Sequence, residues 1–254
     1  EDSSLTWNIF DHTQNSAELI DFVRGAEISS KDGGLTTFDT IARSSLNNFN
    51  YAFGVQINNE TLDIEYNDLA RAEFDSDGKI TKTADLFFLG GGQNVNQSRN
   101  KYGAFFEGEQ ELFDSFGLRL AARYEKVDNF SSLDPKISLS YNPIDQITLR
   151  ISRGTSFTMP SMAQMYSSDI NLGSVRDLEG SIFVRQARIG NPDLKPATST
   201  NSNFGFIYDS DINRFSVDYW KIDYRDRIEA ESSQAILDLD PQGPSITRNE
   251  NGEL

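Results

Sequence analysis

The clearest pattern in the chain begins at Leu118, where Leu118, Leu120, Ala122 and Tyr124 alternate with Arg119, Ala121, Arg123 and Glu125. A repeat of two sends successive side chains to opposite faces, so this segment reads as a strand with one apolar and one charged face. The next two segments repeat it. Ile137, Leu139 and Tyr141 stand opposite Lys136, Ser138 and Ser140, and then Ile147, Leu149 and Ile151 stand opposite Thr148, Arg150 and Ser152. Upstream, Phe49, Tyr51, Phe53, Val55 and Ile57 oppose Asn50, Ala52, Gly54, Gln56 and Asn58. A sheet that is greasy outside and wet inside suits a membrane barrel. Alternation alone does not separate a barrel from a soluble sandwich, whose strands also read apolar and polar by turns.

Extended along the chain, the same pattern predicts eight strands, near 34–43, 48–58, 101–112, 117–127, 135–142, 146–156, 199–208 and 213–228. The last begins with Phe215, Val217 and Tyr219 on one face, and its apolar set then changes phase to Trp220, Ile222 and Tyr224. A β-bulge or emergence from the membrane accounts for such a switch. Short links at 44–47, 113–116, 143–145 and 209–212 carry turn-forming Asn, Asp, Ser and Pro. Long links cover 59–100, 157–198 and 229 to the end, with a modest one at 128–134. Short turns on one rim and long loops on the other are the outer-membrane barrel pattern, and loops of that length are unusual in a sandwich. A helical turn over 16–24, with Leu19, Ile20 and Val23 after Ser16, reads as part of a loop.

Composition narrows the function. A net charge of −16 without a basic cluster disfavours nucleic acid as a partner. The acidity falls largely on loop-like stretches such as 209–211 and 238–240, as expected of solvated turns. With no cysteine, the chain has no disulfide, thiolate metal site or thiol nucleophile. Apolar runs such as 86–89 are strand-sized, so no helix is expected to span a membrane, and alternating strands escape any hydropathy average. The opening residues, Glu1 to Ser4, carry no signal-peptide pattern.

Three apparent sites fail on their chemistry. Glu73, Asp75 and Asp77 before Gly78 echo a calcium loop, but the twelfth position is Ala84 where the cation needs a bidentate Glu. Gly90-Gly91-Gly92 lacks a following Lys-Ser/Thr and offers flexibility without a phosphate cradle. The single His12 has no partner His or Cys. With no nucleophile elbow or zincin motif either, the chain is expected to be no enzyme and to hold no metal or cofactor.

Three segments carry a resemblance. Asn191-Pro192-Asp193-Leu194-Lys195-Pro196-Ala197-Thr198-Ser199 resembles the signature that introduces a late barrel strand in TonB-dependent outer-membrane receptors. Gly154-Thr155-Ser156-Phe157-Thr158-Met159-Pro160-Ser161 is similar to the segment by which such receptors leave a strand for a long loop, and Phe215 to Trp220 resembles the strand that follows. Position 197 is Ala where the family usually has Glu. The resemblance runs from about Asn48 onward. It implies an all-β fold, an antiparallel transmembrane β-barrel segment supplying about eight strands of a larger, 22-stranded barrel. On that view residues 1–254 are a partial barrel domain, with plug domain and final strands outside the chain.

The resemblance implies an outer-membrane location and active import of a scarce nutrient such as a siderophore, cobalamin or saccharide. The implied partners are outer-membrane lipid, the protein's own plug, the TonB complex acting through the plug, and the small nutrient. Lipid then covers Phe53, Leu118, Leu120, Leu139 and Leu149, while Arg119, Arg123, Glu125, Lys136 and Arg150 face the lumen and plug. Tyr166, Asp169, Arg176, Arg185 and Arg188, in the loop after Met159, are the candidate ligand contacts, since binding residues gather on loops held by a rigid scaffold. The alternatives are a passive porin-like channel and a soluble carbohydrate-binding β-sandwich.

Overall fold

In the computed structural model, residues 7–75, 78–85, 90–177 and 180–254 are described. The apolar run at 86–89 and two positions of the calcium-like segment, Ser76 and Asp77, lie outside them. The strands are β1 (Ser29–Leu46), β2 (Phe49–Tyr66), β3 (Glu73–Phe74), β4 (Ile80–Lys82), β5 (Gly91–Gly92), β6 (Val95–Leu112), β7 (Phe116–Val127), β8 (Phe130–Ile144), β9 (Ile147–Thr158), β10 (Asp169–Asp177), β11 (Gly180–Arg188), β12 (Ala197–Asp209) and β13 (Arg214–Arg225). Three short helices, α1 (Ala17–Val23), α2 (Met162–Tyr166) and α3 (Ser233–Leu239), lie in the links, with Ser16, Ser161 and Ser232 as their N-caps.

Eight strands form one antiparallel sheet in the order β1-β2-β6-β7-β8-β9-β12-β13, so each long strand pairs with its sequence neighbours. A second sheet, β11-β10-β5, and the small β3-β4 hairpin belong to the long links. Because residues directly opposite in a ladder share a face, the register fixes the two sides of the sheet. One row runs Leu118, Leu139, Ile151, Phe204 and Tyr219 across β7, β8, β9, β12 and β13. Another runs Phe53, Phe106 and Ala122 across β2, β6 and β7. Leu149 pairs with Tyr141, and Leu120 with Ile137, on that same side. All five apolar residues singled out from the sequence therefore share one face. Arg119, Arg123, Glu125, Lys136 and Arg150 share the other.

The short connections are tight. Leu46 pairs with Phe49 across Asn47 and Asn48, both with positive φ (49° and 66°), the conformation a two-residue hairpin turn needs and asparagine tolerates. β7 and β8 join across Asp128 and Asn129 alone, since Val127 pairs with Phe130. The modest link expected at 128–134 is thus mostly strand. Apolar alternation is lost there because Ser131, Ser132 and Asp134 interrupt it, while the main-chain ladder continues.

The larger corrections concern β1, β2 and β6, which run 18 residues each. They extend well past the expected limits at 34, 58 and 101. A membrane crossing needs only about 9–11 residues, so the extra length lies beyond any apolar belt. There the apolar face turns polar, with Asn59, Thr61 and Asp63, and the opposite face gains Leu62, Ile64 and Val95. Ile64, Tyr66, Ala70 and Val95 form a buried cluster against which Leu62 and Tyr166 pack. The ladder continues because folded links cover its inner side, a tertiary contact that alternation does not reveal.

On β13 the phase change occurs without a bulge, since its pairing with β12 is unbroken from Thr198↔Arg225 to Asp209↔Arg214. The only irregularity in the eight-stranded sheet lies between Tyr141 and Ile144, at Pro143, which has no N–H for the ladder. Gly91 and Gly92, expected as a flexible stretch, form a short strand instead. A side chain at Gly92 would meet the Tyr66 ring at 2.6 Å, so this close approach requires glycine.

Gly108 sits on the apolar face, where a Cβ would lie 2.5 Å from the Phe49 ring. Gly108→Val is expected to lower stability by about 1–3 kcal/mol through overpacking. Gly33→Val, with nothing within 4 Å of the added carbon, is expected to be near neutral. Urea midpoints in detergent micelles decide the matter, and equal midpoints for both variants would contradict this packing.

Candidate functional site

The two family-like segments meet at one place on the long-loop rim. β9 ends at Thr158, and Ser161 caps α2 through a capping box, its hydroxyl accepting from the Gln164 N–H while the Gln164 side chain accepts from the Ser161 N–H. The Asn191 N–H donates to the Gln164 carbonyl at 3.0 Å, tying the second segment to the same helix. Asn191 Oδ1 accepts from the Asp193 N–H at 2.9 Å, shaping the turn into β12. Ala197, where the family usually has Glu, is 1% exposed opposite Thr158.

Beneath this junction lies Arg99 of β6, which is 5% exposed. Its Nε and Nη2 donate to Glu60 Oε2 at 3.1 and 2.6 Å, and its Nη1 donates to the Pro160 carbonyl at 3.0 Å and approaches Met165 Sδ at 3.6 Å. Lys101 also pairs with Glu60. A buried guanidinium is stable only when its charge is matched and its donors are used, and Glu60 with the Pro160 carbonyl meets both conditions. Arg99 and Glu60 escape a reading by alternation because polar residues flank them on both faces. A weak signal exists in the Arg99, Lys101 spacing of two.

The long links are also stitched to one another. The Ala72 N–H donates to the Gly92 carbonyl, β5 pairs with β10, and the Gln93 N–H donates to the Ser168 carbonyl. The Arg176 N–H donates to Gln234 Oε1 at 2.6 Å, and Gln234 Nε2 returns a bond to the Arg176 carbonyl at 3.0 Å. Arg248 donates to Asp177 at 2.7 Å. That bond to Asp177 holds the Arg248 guanidinium above its ordinary range, against the opposing effect of burial.

Four of the five candidate loop residues lie on the β10–β11 hairpin. Asp169 and Arg188 are paired on one side, while Arg176 and Arg185 lie on the other with Leu172 and Phe183. Both of those arginines are exposed, as is the Phe183 ring at 73%. Asp169 accepts from Asn171 Nδ2 at 2.9 Å. Tyr166 stands apart, on α2 and packed against the Ile64 cluster. Among the described residues no group of three or more His, Cys, Asp or Glu is placed to hold a metal.

The polar face carries two bridges that cross a glycine. Arg150 on β9 reaches over Gly205 on β12 to Asp218 on β13, with Nη2 at 2.7 and 2.8 Å from the carboxylate oxygens. Arg123 of β7 reaches over Gly103 of β6 to Gln56 of β2 at 2.7 Å, and Gln56 Nε2 donates onward to Asp39 at 2.6 Å. Only a residue without a side chain lets an arginine lie flat across the intervening strand. Arg123 also pairs with Glu125, and Arg119 with Glu109 at 2.9 Å. Lys136 lines a shallow cleft with Ser152, Gly154, Asn201, Asn203 and Trp220.

A family model for the TonB dependent receptor-like β-barrel matches residues 2–253, and the chain belongs to that family. These barrels sit in the outer membrane of Gram-negative bacteria, which is the location of this one. The probable TonB-dependent siderophore receptor PirA of Acinetobacter baumannii is 27% identical over 128 residues, covering 50% of this chain and 17% of the relative. Among solved structures, the ferric enterobactin receptor PfeA of Pseudomonas aeruginosa, a variant in complex with enterobactin, matches 77% of this chain and 27% of its own at TM-score 0.57 and 18% identity. The siderophore receptor PirA of A. baumannii matches 78% of this chain and 28% of its own at TM-score 0.56 and 20% identity. The chain therefore spans under a third of these receptors, and the structural likeness concerns the fold.

Replacing Glu60 by Ala leaves Arg99 buried without its counter-charge. Stability is expected to fall by about 3 kcal/mol, with the 159–196 link becoming protease-sensitive. An unchanged unfolding midpoint and unchanged digestion pattern would show that the knot does not anchor the link.

Proposed function

We propose that this chain is a wall segment of an outer-membrane receptor that imports a small nutrient, with a ferric siderophore the best-supported class. The observation that carries the reading is the in-register, two-faced sheet with every long link at one rim. Lipid covers the Phe53, Leu118, Leu120, Leu139 and Leu149 side. A plug and water meet Arg119, Arg123, Glu125, Lys136 and Arg150, whose mixed signs and cross-strand bridges suit a protein-binding wall better than an ion-selective pore.

Aromatic residues flank the apolar side as they do at membrane interfaces. Phe116 stacks on Tyr141 with centroids 4.3 Å apart at the short-turn end, while Tyr102 and Tyr124 stand toward the other. Short turns then face the periplasm and the linked loops face outside. The siderophore reading draws on the names of the relatives, and energy input through TonB follows from the family. Ligand contact is assigned to the exposed Arg176 and Arg185 on the hairpin, where guanidinium groups suit an anionic chelate. Asp169 and Arg188 line the hairpin's other side, and Tyr166, on α2, is the remaining candidate contact.

Two measurements test this. Leu120→Arg is expected to cost about 2–4 kcal/mol in folding into lipid vesicles, with Arg119→Leu milder, and equal tolerance of both would contradict the facing. Arg176→Ala combined with Arg185→Ala is expected to weaken ferric siderophore binding by about tenfold or more, since charge-assisted hydrogen bonds contribute roughly 1.5–3 kcal/mol each. Unchanged binding and uptake would remove the hairpin from the ligand site.

A further inference from the structure

On the apolar face, the boundary between greasy and polar rows steps down across the sheet. On β7 the apolar set reaches Tyr124, whereas on β9, β12 and β13 its unbroken run ends at Ile151, Phe204 and Tyr219, residues in one paired row, with Phe157 alone further along β9. Such a slope is what strands tilted by roughly 35–45° to a membrane normal produce. The row immediately above reads Arg153, Ser202 and Lys221, again directly paired. Arg153 is exposed and has no side-chain hydrogen bond or ion pair among the described residues. Lys221 is exposed and pairs only with Asp223, one row further up, at 3.0 Å.

These charges are on the wrong side of the sheet for the plug. Their backbones are two strand spacings apart, roughly 10 Å, with the Ser202 hydroxyl between them. Long basic side chains at this height lay their methylenes along the apolar belt and lift their charges toward the aqueous boundary. There they meet lipid headgroups.

We infer that the row Arg153, Ser202 and Lys221 is a seat for the phosphate-bearing headgroup of a membrane lipid, an inference that rests on the apolar face meeting lipid. Charge complementarity and continuity with the belt favour this occupant. The guanidinium fork and the ammonium both match phosphate oxygens, Ser202 offers a further donor, and the acyl chains of the same lipid would run down over Ile151, Phe204 and Tyr219. A free phosphate would use the charges and leave that apolar continuation unused.

The rest of the sheet supplies an internal contrast. At and beyond the polar margin of β1, β2 and β6, the same face carries Asp32, Asp63 and Glu65 among Asn, Ser and Thr, with no Lys or Arg. In a chain of net charge −16, the strand cations on this face are Arg153 on β9, Lys221 and Arg225 on β13 and Lys126 on β7, with none on β1, β2 or β6. Anionic lipid is therefore expected to lodge over β9, β12 and β13 and to avoid the β1–β2–β6 sector.

The test uses the protein in its full-length form, inserted into phosphatidylcholine vesicles with or without phosphatidate, and native mass spectrometry of the retained lipid. Phosphatidate is expected to be retained over phosphatidylcholine. Arg153→Gln and Lys221→Gln should each weaken retention roughly fivefold, the size expected of one basic residue at an anionic surface. Arg43→Gln, with the same loss of charge on the opposite face, should leave it unchanged. Insertion with equal phosphatidate retention in wild type and the Arg153→Gln, Lys221→Gln double variant overturns the seat while leaving the lipid-facing reading intact. Failure to insert into either vesicle overturns that reading and the seat with it. Displacement of the lipid by equimolar inorganic phosphate would mark a free-anion site and also overturn the proposal.

Discussion

Everything in this protein hangs on the backbone ladder that holds eight strands in a single register. In a strand the side-chain period is two, so a slip of one residue would exchange every apolar side chain for its polar neighbour. Unpaired main-chain groups are also intolerable in hydrocarbon, so the ladder must be continuous wherever lipid is the solvent. The observed pairing meets both demands, with one irregularity at Pro143 near a short turn. Leu118 falls beside Leu139, and Leu139 beside Ile151, and a one-residue slip of either pairing would bring the charged set to the apolar side.

Glycine gives the polar face a second layer of order. Arg150 crosses Gly205 to Asp218, and Arg123 crosses Gly103 to Gln56, so each bridge spans three strands where an ordinary cross-strand pair joins two. Such exposed bridges add little stability individually. Their consequence is geometric, since they hold long side chains flat against the wall and fix the contour that an occupant of the lumen would meet.

The sequence made the central wall legible and the rim much less so. β7 and β9 fell within two residues of their observed limits because their alternation is strong and turn residues bound them. The tall ends of β1, β2 and β6 went unseen, since Glu60, Arg99 and Lys101 alternate with Asn59 and Asn100 and leave no apolar contrast to read. The β10–β11 hairpin was hidden for a related reason, its stability coming from contacts with β5 and the α3 region that only the folded chain supplies. Four of the candidate loop residues fall on the β10–β11 hairpin, while Arg99, held against Glu60 and Pro160, went unmarked because its role comes from burial and not from any motif.

The account stands on which solvent touches each face. This chain contains no cysteine, so Leu120→Cys and Arg119→Cys each introduce a thiol whose attached fluorophore reports from one known side of β7. With the protein in lipid vesicles, a quencher confined to the acyl chains should dim the label at 120 and spare the one at 119. The reverse pattern, or quenching of the label at 120 by a water-soluble agent alone, would contradict it.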